Sequence, residues 1–211
     1  MTIFLATNNK HKLQEVAEIA PELTVYGPHS AHLDFTFEET GNTFAENALG
    51  KAHALCKLLQ DRQIHFDAVL ADDSGICVDA LDGRPGIYSA RYGSDLPKAA
   101  ITSDRDRAEL LLQEMQGIKE RSARYVCAAA LVSAPQRFIL CQDTLEGLIA
   151  TEYSDGQGGF GYDPIFWLPQ YACTAADITA EEKHAISHRG KAVRKAIAAL
   201  KAQDHPQGDS K

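Results

Sequence analysis

The stretch Val69-Leu70-Ala71-Asp72-Asp73-Ser74-Gly75 decides how the rest of the chain is read. Ala68 to Ala71 is short and apolar, and it reads as a buried strand, expected over 67–72. That strand runs out into two adjacent carboxylates. Like charges side by side cost free energy unless a cation or hydrogen-bond donors offset them. Neighbours in a strand point to opposite faces, so Asp72 and Asp73 are expected to serve different partners. One could hold a metal while the other accepts backbone N–H groups and anchors a turn. Mg²⁺ suits such a place, because it takes oxygen ligands, typically one or two carboxylates plus substrate phosphate. An ionised Asp beside bound water also has general-base chemistry. The competing reading is an Asx-capped turn before Gly75.

Working outward, 2–7 (TIFLAT) reads as a buried first strand, and 9–20 as a helix with Leu13, Val16, Ile19 and Ala20 on one face. A short strand is expected at 23–27. The longest helical pattern is 43–60, with Thr43 and Glu46 at capping-box spacing. On the other side, 79–93 is loop-rich, 106–116 is an amphipathic helix, and 123–134 and 137–150 form an antiparallel pair joined at Pro135-Gln136. A Gly-aromatic segment, 158–166, precedes helices at 180–186 and 188–203. Strands that adjoin without an intervening helix favour an α/β (α+β) fold with a mixed sheet flanked by helices. One domain is expected over 1–203, with a flexible polar tail at 204–211.

The chain has 211 residues, 45% of them hydrophobic, enough for a sizeable core. Its formal charge of −8 argues against a nucleic-acid binder acting through its overall field, so no nucleic-acid partner is expected. The five cysteines, at 56, 77, 127, 141 and 173, are scattered and contain no CxxC pair, which reads as reduced thiols. The N-terminus has no basic region ahead of an apolar segment, so no signal peptide is expected. No apolar run approaches the ~20 residues of a bilayer span. A cytoplasmic protein without a membrane partner is the resulting expectation.

Three further segments carry chemistry. In Ala6-Thr7-Asn8-Asn9-Lys10-His11-Lys12 a strand runs into a helix whose first turn holds lysines where the helix dipole favours acids. Cations there make sense beside a bound anion such as phosphate; a solvated helix start with an Asn cap is the alternative. Gly158 to Phe166 lets backbone approach a ligand closely, with Phe160 or Tyr162 able to stack on a planar base and Asp163 able to accept from a base-edge N–H. The alternative is a Gly-rich turn with packed aromatics. In 181–192, Lys183, His188 and Arg189 gather near two helix starts, suited to phosphate or base, or else to a solvated connection. Taken together the four segments specify a nucleotide polyphosphate site.

These residues resemble a known family. The segments ATNNKHK (6–12), EETGNTFAENALGKA (38–52), ADDSGICVDALDGRPGIYSARYG (71–93), GGFGYDPIF and EEKHAISHRGKA, in this order from residue 2 to about 200, are similar to the inosine triphosphate pyrophosphatases, most of all the bacterial RdgB/HAM1 type. The resemblance implies a long mixed sheet in two lobes with an active-site cleft between them. It also implies a typically homodimeric, Mg²⁺-dependent enzyme that cuts ITP, dITP and XTP between the α- and β-phosphates. The products are the monophosphate and pyrophosphate, so the nucleotide pool is cleared of deaminated purines. Carried over by position, Thr7, Asn8, Asn9, Lys10, His11 and Lys12 are substrate-binding. Asp73 is the proton acceptor and a metal ligand, and Ser74 touches substrate. Phe160, Gly161, Tyr162 and Asp163 read the base, with Phe160 stacking on the purine, while Lys183, His188 and Arg189 make the remaining contacts. Glu38 is the expected second metal ligand, with Glu39 its rival. The chain departs from the family pattern at Asn8, where Gly is common, and at the opening of 141–149. A pyrophosphatase of the Maf type and a non-catalytic nucleotide sensor are the competing functions.

Overall fold

The strand that opens at Ala68 does not stop at the carboxylates. It continues to Val78, because Ile76 and Val78 return to the core and carry the ladder on. Asp72 and Asp73 therefore sit in mid-strand, not at a strand end. Gly75 permits the extension: a Cβ there would lie 2.3 Å from the Gly86 carbonyl oxygen and 2.4 Å from Ser89 Oγ. Ser89 Oγ in turn accepts from the Ile76 N–H at 2.9 Å.

The computed structural model describes residues 1–94, 96, 101–156 and 158–204. Its elements are β1 (Thr2–Leu5), α1 (Lys10–Ile19), β2 (Thr24–Tyr26), α2 (Phe44–Asp61), β3 (Ala68–Val78), α3 (Asp104–Glu114), β4 (Ser122–Ala134), β5 (Arg137–Ile149), β6 (Phe166–Leu168), β7 (Cys173–Thr174), α4 (Ala180–Ile186) and α5 (His188–Asp204). The expected tail lies outside the described residues apart from Asp204, which ends α5. No helix among the described residues is long and apolar enough to cross a membrane.

The sheet is mixed and seven-stranded, in the order β2-β1-β3-β4-β5-β6-β7. β1 is parallel to both β2 and β3, with Phe4 opposite Tyr26 and Val69, and the β5–β6 and β6–β7 pairs are antiparallel. Residues 135–136 turn β4 into β5, a link short enough only for an antiparallel neighbour. β6 and β7 have three and two residues and carry no periodicity to read from sequence.

Helix starts follow their caps. Thr43 Oγ1 accepts from the Glu46 N–H at 3.1 Å, but the Glu46 carboxylate accepts from Asn42 rather than Thr43, so the expected box closes one residue early. Full boxes form at Ser103/Asp106 before α3 and Thr179/Glu182 before α4.

The chain builds two compact units. The first takes Met1–Asp73, Cys127–Asp143 and the chain from Arg189. Its core joins Ile3 and Leu5 of β1, Leu70 of β3, Leu131 of β4, Val16 of α1 and Val193, Ile197 and Leu200 of α5. The second takes Ser74–Val126 and Thr144–His188. Its core joins Ile76, Leu111, Met115, Tyr125, Ile149, Tyr162, Ile165 and Phe166. Arg121 ties this unit's backbone together, donating to the carbonyls of Ile149 (2.6 Å), Met115 (3.0 Å), Ile118 (3.3 Å) and Ala150.

Candidate functional site

The two adjacent carboxylates part company, as alternation along a strand requires. Asp72 is held by Lys12 Nζ at 2.9 Å and Arg189 Nε at 3.1 Å, and Arg189 also pairs with Glu15. All but Lys12 are buried, with the Asp72 side chain 1% exposed. Burial alone would push the Asp72 carboxyl up, but Lys12, Arg189 and Lys51 outweigh it and hold it far below the usual range. The same acids, Asp72 and Glu15, outweigh burial at Arg189 and hold its proton more firmly. Asp72 is thus a locked anion, and Lys12 and Arg189 are anchored cations.

Asp73 meets α2 instead. Asn47 Nδ2 donates to its Oδ2 at 3.1 Å, and Lys51 Nζ lies 3.4 Å from its Oδ1. Lys51 also pairs with Glu39 at 2.7 Å, so one ammonium stands between two carboxylates. Burial and the nearby Glu39 raise the Asp73 carboxyl above its ordinary value, against the opposing pull of Lys51 and Asn47. The two acids and Asp72 outweigh burial at Lys51 and keep it protonated.

Glu39 is half-buried, while Glu38 is exposed. Glu39 is therefore the acid that shares a cation with Asp73. Sequence reasoning missed Asn47 and Lys51. The available signal was two polar residues at i, i+4 beside the buried Ala48 and Ala52 of α2.

The start of α1 is partly self-satisfied. Asn9 is its N-cap, and its Oδ1 accepts from the His11 and Lys12 N–H groups at 2.9 and 3.3 Å. Thr7 Oγ1 accepts from the Asn9 N–H at 3.1 Å, and Asn8 Nδ2 donates to the Phe35 carbonyl at 2.7 Å. Lys10 and His11 are exposed, with no acid in the helix's first turn.

In the second unit Asp163 organises the glycine-aromatic segment. Its Oδ2 accepts from the Phe160 N–H at 2.7 Å and pairs with Lys183 Nζ at 2.6 Å. Lys183 Nζ stands 5.1 Å from the centre of the Phe160 ring, within cation–π range. Gly161, at φ +67°, donates its N–H to Asp104 at 3.1 Å. Gly159, at φ +72°, leaves no room for a Cβ, which would fall 2.1 Å from Asp163 Oδ2. Tyr162 turns inward: its hydroxyl donates to the Ser89 carbonyl at 2.8 Å, and burial raises its phenol well above the usual value. Of the two aromatics, Phe160 stays half-exposed and Tyr162 belongs to the core. His188 is buried and Ser74 half-buried in this unit.

Among the described residues, no three His, Cys, Asp or Glu side chains are grouped to hold a metal ion. Asp73 and Glu39 supply a two-carboxylate, oxygen-only donor set around a cation. That set fits Mg²⁺, which completes its shell with water and substrate phosphate.

A profile of the Ham1 family matches residues 3–199. A Treponema denticola protein named dITP/XTP pyrophosphatase is 45% identical over 197 residues, 92% of this chain and 95% of that protein. A Clostridium perfringens protein of the same name is 41% identical over 195 residues, 90% of this chain and 93% of its own. The solved HAM1 protein from Coxiella burnetii superposes with a TM-score of 0.81 at 35% identity, covering 95% of this chain and 98% of that one.

Proposed function

This chain belongs to the Ham1 family, and on that footing we propose that it hydrolyses deaminated purine nucleoside triphosphates (dITP, ITP and XTP) to the monophosphate and pyrophosphate. The observation that carries the reading is the division of labour between Asp72 and Asp73. One carboxylate is locked between Lys12 and Arg189, and the other turns to α2, where Asn47 and Lys51 meet it. That division suits an anhydride-cleaving centre: a rigid, charge-balanced frame beside a carboxylate that can act on water.

In this mechanism the partly exposed Lys12 and the exposed Lys10 attract the triphosphate, while buried Arg189 and Lys51, engaged by Asp72, Glu15, Asp73 and Glu39, hold those carboxylates in place. Asp73 orients the attacking water and accepts its proton, and Asn47 fixes the carboxylate by its hydrogen bond. Asp73 and Glu39 are the residues that would hold Mg²⁺, in place of the expected Glu38. When bound, the metal supplies Lewis-acid polarisation and neutralises phosphate charge. Phe160 offers its ring to the purine. Asp163, Lys183 and His188 have the chemistry to read its edge. A 6-oxo group accepts hydrogen bonds where adenine's amino group would set donor against donor. A cytoplasmic homodimer is part of the same reading.

The test is pyrophosphate release with Mg²⁺ from ITP, XTP, GTP, ATP and dTTP, beside Asp73→Asn. Rapid release from ITP and XTP, falling by about 10²-fold or more in the variant, is the expected result. Preference for a pyrimidine nucleotide would move the protein to the Maf type. Tight binding without turnover would make it a sensor.

A further inference from the structure

Tyr125 touches both Asp163 and His188. It stands on β4, 7% exposed, within the second unit's core. Its hydroxyl donates to Asp163 Oδ1 at 3.2 Å. Its ring lies parallel to the His188 imidazole, centroids 4.7 Å apart and planes 8° apart. It also packs against Phe166, with centroids 4.5 Å apart and planes tilted by 48°.

Ordinary packing accounts for the Phe166 contact but for neither of the others. The Asp163 carboxylate already uses Oδ2 for Lys183 and the Phe160 N–H. The Tyr125 hydroxyl takes the opposite oxygen, so three donors set the carboxylate plane. A face-to-face aromatic partner restrains the tilt of the imidazole, leaving it to slide only within its plane. One rigid side chain with two rotatable torsions therefore couples the orientation of both groups.

We propose that Tyr125 is a positioning residue for base recognition, holding Asp163 and His188 in one fixed arrangement; this rests on the proposed function. Loss of the stack and the hydrogen bond then weakens binding of the base without altering chemistry at phosphorus. The split between KM and kcat reads that directly.

The experiment is steady-state kinetics with ITP and Mg²⁺ on wild type, Tyr125→Leu and Tyr125→Phe, with Leu111→Ala from the same core as a packing control. Tyr125→Leu is expected to raise KM about tenfold with kcat within about threefold of wild type. Tyr125→Phe keeps the stack but loses the hydrogen bond to Asp163, and is expected to raise KM about threefold, between wild type and Tyr125→Leu. Leu111→Ala is expected to lower the melting temperature at unchanged KM. An unchanged KM in Tyr125→Leu, with only the stability loss of the control, would overturn the inference and leave the proposed function standing. So would a fall confined to kcat. Should Tyr125→Leu not fold, Tyr125→Phe decides: a KM equal to wild type removes the tie to Asp163. Absence of ITP turnover in wild type would bring down the proposed function, and this inference with it.

Discussion

Asp72 and Asp73 are adjacent, chemically identical and differently employed. Removing Asp72 leaves Lys12 and buried Arg189 without their shared anion. Breaking a buried ion pair from one side costs about 3–5 kcal/mol, so Asp72→Ala is expected to lose that much in urea unfolding. Lys51→Met removes the cation shared by Asp73 and Glu39, and kcat/KM for ITP is expected to fall about 10²-fold. Lys10 is exposed, and Lys10→Met should change kcat/KM by no more than about fivefold. The acidic pair was legible because two like charges after an apolar run demand an explanation. The pairing of Glu39, and not Glu38, with Lys51 was not. Residues 33–41 form neither helix nor strand, so no periodicity says which side chain turns toward β3. Asn47 and Lys51 were hidden for the opposite reason. On a long amphipathic helix a polar residue reads as solvated, although both are buried.

Elements were read best where a repeat is long. α1, α2, α3, β4 and β5 were legible within a few residues, since apolar spacing persists through each of them. β3 was cut short because two carboxylates look like a strand's end, and what carries the strand past them is contact with the 86–89 turn, distant in sequence. Arg121 is another long-range tie, and Arg121→Ala leaves several carbonyls without a donor. A loss of about 2–3 kcal/mol in urea unfolding is expected, at unchanged KM for ITP. At the start of α3, hydrogen bonds from Thr102 and Ser103 lower the Asp106 carboxyl to about 2. A depressed carboxyl stabilises the fold above its unfolded value, about 3.9, and that contribution disappears as pH falls through the folded value. Melting curves of wild type and Asp106→Ala are therefore expected to differ fully above about pH 4 and to converge near pH 2.

At the scale of the whole chain, the charge of −8 makes a concrete prediction. No shift of a DNA duplex is expected in a gel assay even at about 50 mM salt, where counterion release most favours binding. The mixed sheet was legible from adjoining strands, whereas two lobes were implied only by the family resemblance. Composition and linkers carry no mark of them, because neither unit is a continuous piece of chain. That interleaving sets the timetable of synthesis. A ribosome that has released Asp143 has delivered the strands of the first unit, with Ile3, Leu5, Leu70 and Leu131 in hand, but not Val193, Ile197 or Leu200, which complete their core. The unit that begins first thus finishes last, and the nascent chain must carry an apolar sheet face covered by α1 but not by α5 through most of its translation, a natural client for a holding chaperone.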